Sequence, residues 1–78
     1  MRRKELRLVV SFATAAAAME MERYCLANGV PGRLIPTPPR ITADCGLAWS
    51  APPEAEALVL AAAAGGRIEP SDTFLLEL

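Results

Sequence analysis

The stretch Pro36-Thr37-Pro38-Pro39-Arg40-Ile41-Thr42-Ala43-Asp44-Cys45-Gly46-Leu47-Ala48-Trp49 lies at the middle of a 78-residue chain and separates two short apolar runs. Its prolines fix φ and remove backbone donors, so the segment can continue neither a helix nor a sheet ladder. Residues 33–37 before it and 47–50 after it therefore read as two separate strands. Pro36 and Pro38 put the first of these at a sheet edge, because a strand short of donors cannot be paired on both sides. Between the strands lies a stiff connector. Gly46 leaves one side of the Cys45 thiol without a neighbouring side chain, so the connector reads as displaying that thiol.

Outward towards the N-terminus, Leu6, Leu8, Val10 and Phe12 alternate with Arg7, Val9 and Ser11, which predicts a strand over residues 6–12. Val9 on the second face predicts a central strand covered on both sides. Thr14 is placed to cap a helix over residues 15–28. Ala15, Ala18, Met19, Cys25 and Leu26 form its apolar stripe, with Glu20 and Arg23 in solvent and Glu22 at the stripe's edge. Cys25, on that stripe, behaves as a small hydrophobe. Gly29 ends the helix and Pro31 prevents its resumption. Towards the C-terminus, Pro52-Pro53 starts a second helix whose dipole is complemented by Glu54 and Glu56. Its stripe is Ala55, Leu58, Val59, Ala62 and Ala63, and Gly65-Gly66 stops it. A turn at Glu69-Pro70-Ser71-Asp72 leads into a last strand over residues 73–78. The order β-α-β-β-α-β predicts an α+β, ferredoxin-like fold: two helices on one face of a four-stranded antiparallel sheet, with the first and third strands central.

The length predicts a single domain over residues 1–78, which buries only about 60% of its unfolded surface. The composition is 53% apolar, but alanine supplies much of it and the aromatics are few. A core this modest predicts completion by a homodimer or a larger partner. The net charge of −1 argues against a nucleic-acid footprint, which needs a clustered basic excess. The absence of histidine removes Ser-His and Cys-His catalysis, and no acid/base pair is identifiable, so the chain does not read as an enzyme. Two isolated cysteines offer no metal-ligand spacing, and no cofactor motif is present. A metal chaperone on this fold would carry paired cysteines in its first loop, where Ala13-Thr14 has none.

Arg2-Arg3-Lys4 followed by the apolar run to Ala18 imitates a signal peptide, with Ala13-Thr14-Ala15 as a cleavage site. Glu5 and Arg7 interrupt that layout, so the run is read as a strand and a helix start. No run reaches the ~20 apolar residues that span a membrane. With no secretory signature, the cysteines are read as thiols and the chain as cytoplasmic.

Chemistry at Cys45 would pass through the thiolate, and a free cysteine has a pKa near ~8.5. Arg40 in the same loop and Arg33 on the preceding strand favour ionisation, while Asp44 opposes it. Backbone amides around Cys45-Gly46 would add anion stabilisation in a concave turn. The pattern as a whole resembles the small bacterial selenium/sulfur carrier protein-like family, over most of the chain. The resemblance is carried by Val10-Ser11-Phe12 before Thr14, by Ala18, Glu22 and Gly29-Val30-Pro31, and above all by the middle of the chain. There Arg33-Leu34-Ile35-Pro36-Thr37-Pro38 is followed by Arg40-Ile41 and Cys45-Gly46-Leu47-Ala48. Pro39, and Asp44 before the cysteine, depart from the family's pattern.

The resemblance implies a single sulfur- or selenium-bearing cysteine, Cys45, supported as a thiolate by Arg40 and Gly46. It implies a donor such as a cysteine desulfurase or selenide source, and an acceptor protein. The edge strand and connector, with Arg33, Pro36 and Pro38, would meet these partners. The competing expectation is a protein-interaction or regulatory module of the same fold, which needs no thiol chemistry.

Overall fold

The computed structural model describes residues 4–41 and 46–78. Strand β1 (Leu6–Ser11) is followed by helix α1 (Ala15–Asn28), strand β2 (Arg33–Pro36) and strand β3 (Leu47–Ala51). A 3-10 turn (Pro53–Ala55) then leads into helix α2 (Glu56–Gly65), and strand β4 (Asp72–Glu77) closes the chain. The four strands form one antiparallel sheet in the order β2-β3-β1-β4. This is the ferredoxin-like α+β arrangement, with β1 and β3 central as expected.

The local signals act where the sequence puts them. Thr14 is extended, and its Oγ1 accepts from the Ala17 N–H at 3.1 Å, satisfying one of the donors that a helix start leaves unpaired. Gly29 turns left-handed at φ 68° and its N–H reaches the Cys25 carbonyl, which ends α1. Pro53 opens the 3-10 turn, where a missing N–H costs nothing.

Register assigns the faces. Leu8 is opposite Ala51 and Val10 opposite Trp49, and with Phe12 these side chains pack under the two helices. Ala18, Met21 and Cys25 of α1 and Val59, Ala62 and Ala63 of α2 complete this main core. Trp49 is fully buried, and among the described residues its Nε1 is a buried donor without an acceptor. Close by, Gly32 holds a φ of 136°, and a Cβ there would meet the Trp49 indole and lie 2.7 Å from the Ser50 carbonyl oxygen. Only glycine fits between α1 and β2 at that point.

The apolar stripe of α1 is turned relative to its expected position. Met21 is fully buried, whereas Met19 and Leu26 are 53% and 72% exposed. Glu22 is half-buried beside the stripe. Leu58 of α2, expected in the core, is likewise exposed. Both helices are alanine-rich, so polarity contrasts little around their circumference and the largest apolar side chains do not mark the buried face. Spacing from Ala18 and Cys25 does mark it, at i+3 and i+7. Replacing Met21 by alanine should therefore lower the free energy of unfolding by about 2–4 kcal/mol, and Met19→Ala by less than about 0.5 kcal/mol, in urea denaturation at neutral pH. Equal losses would contradict the observed rotation of the helix.

Candidate functional site

Part of the second face of the sheet is covered by the first residues of the connector. Val9, fully buried, packs there with Ala48 and Ile41, and Ile35, Phe74 and Leu76 line the edge of this smaller cluster. Ile41 reaches it from outside the sheet because the connector turns back at its first residues. The Ile41 N–H donates to the Pro38 carbonyl at 3.0 Å, closing a β-turn through Pro39 and Arg40. Proline at the second position of such a turn has its φ already set. Pro39 thus has a local structural use. Both ends of the turn, Pro38 and Ile41, are buried, and Arg40 at its tip is exposed.

The base of the connector is closed by a second bond, from the Thr37 N–H to the Gly46 carbonyl at 2.9 Å, just beyond the pairing of Pro36 with Leu47. Gly46 is exposed, and a Cβ built on it would meet nothing within 4 Å. Residues 42–45 fall outside the described residues, and with them Asp44 and the expected sulfur-bearing Cys45.

The other expected site residues divide into two groups. Arg33 and Pro36 are exposed on β2, at the edge of the sheet, and line one cleft together with Ile35. Arg40 and Gly46 are exposed at the turn and at the connector's base. Pro38 corrects the expectation made of it: it is buried, so it anchors the connector rather than offering a surface to a partner. A proline without a donor is well suited to lie against an apolar sheet face, since burying it leaves no N–H unpaired.

Cys25 is fully buried on α1 as a free thiol, and burial pushes its pKa up from the ordinary value of 9.0. That thiol is a packing group, as its place on the helix stripe indicated. Among the described residues no cluster of histidine, cysteine and carboxylate groups could hold a metal ion, and no helix is long and apolar enough to cross a membrane.

The sequence had not marked Ile41 as an anchor, nor Arg7 and Ser50 as neighbours. Arg7 Nε donates to Ser50 Oγ at 3.0 Å on the sheet face away from the helices. The signal was present in the alternation of β1, where Arg7, Val9 and Ser11 share a face.

The family model described as "Putative Se/S carrier protein-like" matches residues 7–75. The chain belongs to this family. No curated protein and no solved structure matches it significantly. The matched span contains every strand but the ends of β1 and β4, and it includes the connector with Cys45.

Two outcomes follow for this site. Ile41→Ala should cost about 2 kcal/mol of stability, while the adjacent Arg40→Ala should cost less than about 0.5 kcal/mol, as read by urea denaturation. Stability should also fall as pH rises past about 9, because the unfolded Cys25 thiol releases its proton before the buried one does, so the unfolded state binds fewer protons. Below that pH both states are protonated and this contribution is complete. In Cys25→Ala the part of the alkaline loss due to this thiol should disappear, and an unchanged slope between pH 8 and roughly 10.5 would contradict the account.

Proposed function

We propose that this family member is a sulfur or selenium carrier that bears the atom on Cys45 and passes it to a partner enzyme. The family match across residues 7–75 carries the reading. The surroundings of the connector support it. Cys45 is bonded to Gly46, which is exposed with open space on its side-chain side, and Arg40 presents an exposed guanidinium on the same connector. The connector itself is fixed at both ends of its described part, by Ile41 in the second core and by the Thr37–Gly46 bond. Such a base fixes where the connector leaves and rejoins the sheet edge, which limits the orientational cost of docking.

The chemistry balances without an external oxidant. The Cys45 thiolate attacks the outer sulfur of a donor persulfide; the donor's S–S bond breaks, its thiolate leaves, and Cys45 becomes the persulfide. A selenenyl sulfide donor delivers selenium in the same way. An acceptor nucleophile then attacks the outer atom and releases the Cys45 thiolate. A neighbouring cation favours the thiolate that both steps require. The exposed edge strand β2, with Arg33 and Pro36, is the surface offered to donor and acceptor.

The test is intact mass spectrometry of the full chain after incubation with a cysteine desulfurase and cysteine, followed by gel filtration. A gain of one sulfur atom that is removed by a thiol reductant and absent in Cys45→Ser is expected, with Cys25→Ala unaffected. An adduct that survives Cys45→Ser, or no adduct with the wild-type chain, overturns the reading and leaves the interaction module. Iodoacetamide should label Cys45 faster than Cys25 at pH 7 in the folded protein, since burial suppresses ionisation of the Cys25 thiol.

A further inference from the structure

A cleft of about 830 Å3 opens on the sheet face away from the helices, beside the connector-covered cluster. Its wall carries Lys4, Arg7 and Arg33, one carboxylate side chain, Glu5, and the apolar Ile35 and Pro36. Two of these cations are organised about one serine. Ser50 is the cross-strand partner of Arg33, so their side chains stand together on one face of the sheet. Arg7, two strands from Arg33, donates Nε to Ser50 Oγ at 3.0 Å, which fixes the plane of its guanidinium. Ser50 itself is only 3% exposed.

Among the described residues none of the three cations forms a salt bridge. Among the described residues the one salt bridge joins Arg23 to Glu20 on the outer face of α1, far along the chain from this cleft. The Nη groups of Arg7, and the whole head of Arg33, therefore keep donors for a ligand. A chain with a net charge of −1 has gathered three positive side chains around one concave surface. In such a cleft the field is focused and attracts anions. Planar guanidinium forks match phosphate and carboxylate oxygens, and three cationic side chains outnumber the Glu5 carboxylate and the main-chain carboxylate at Leu78, which favours an anionic ligand. The apolar wall at Ile35 and Pro36 and a volume in the range of small-molecule sites leave room for an organic body beside the anionic group.

From this we infer that the cleft is a binding site for a small organic phosphate, its phosphoryl group held by Arg7, Arg33 and Lys4 and its organic part lying along Ile35 and Pro36. The inference does not depend on the carrier chemistry, since it involves no thiol. Because Ile35 and Pro36 lead directly into the connector, occupancy of the cleft would be felt at the connector's base.

The experiment is a titration of the full-length chain, followed by two-dimensional amide NMR, with adenosine monophosphate, inorganic phosphate and a hexaglutamate peptide as separate probes. Saturable shifts at Arg7, Gly32, Arg33 and Ser50 with adenosine monophosphate, and weaker ones at the same amides with inorganic phosphate, are expected. Binding should weaken about tenfold or more in Arg33→Met, which removes an exposed side chain with no hydrogen bond or salt bridge among the described residues, and should be unchanged in Arg23→Met. Arg7→Met should weaken it as well, and Arg33→Met keeps the test valid if that variant fails to fold. Cys45→Ser should bind as the wild type does, which separates this outcome from that of the carrier assay. Absence of saturable shifts with both phosphate probes, shifts as large at Arg23 and Arg67 as in the cleft, or tighter binding of hexaglutamate than of adenosine monophosphate would each overturn the proposal. The last result would make the cleft a docking surface for an acidic protein segment instead.

Discussion

Val9 and Val10 are adjacent on β1, point to opposite faces of the sheet, and are both fully buried. A four-stranded sheet with two helices has only one face that those helices can cover. Burying both valines therefore requires something else on the other side, and in this chain the connector supplies it. Each buried valine contributes roughly 1.5–3 kcal/mol relative to exposure, a large part of the net stability of a domain this size. The loop between β2 and β3 is thus bound to the core by the same term that holds the helices on.

This dual use shapes the candidate site. A segment that had only to present a cysteine could hang free from the sheet. Here its first half is folded down through the Pro38–Ile41 turn, and the bond from Thr37 to Gly46 closes its base. The exposed groups on it, Arg40 and Gly46, are what remains after Pro38 and Ile41 have been taken into the interior. The region matched by the carrier family includes all four residues. Pre-organisation of this sort lowers the entropy lost when a partner docks. It also sets the connector's base beside a positively charged cleft whose arginines are positioned from β1 and β2.

Most of the fold was legible because its punctuation is local. Thr14, Gly29, Pro31 and the Pro52-Pro53 pair each act through their own backbone geometry, whereas Gly65 and Gly66 stay right-handed at the end of α2 and the left-handed turn falls on Arg67; strand order followed from the two prolines at the edge and Val9 at the centre. The rotation of α1 was not legible, since an alanine-rich helix hides its buried face and Met19 looks as good a core residue as Met21. The stiffness of the connector was likewise readable from its prolines, but its direction was not. Pro38 appears in sequence as an edge-strand residue facing partners, and it is buried in a turn whose other end, Ile41, packs with Val9 of β1 and Ala48 of β3, distant along the chain. Arg7 was read as an interruption of an apolar run; its role beside Ser50 and Arg33 emerges only when strand register is known.

The Thr37–Gly46 bond has a consequence for the architecture of the loop. It makes the hairpin between β2 and β3 a ring that is already closed below its tip, so the register of the two strands does not depend on how many residues the tip contains. The entropic cost of ring closure grows only with the logarithm of length, about 0.6 kcal/mol per doubling. Chains of this architecture can therefore vary the span between the Ile41 anchor and Gly46, and with it the reach of whatever that span carries, while leaving the sheet and both of its cores unchanged.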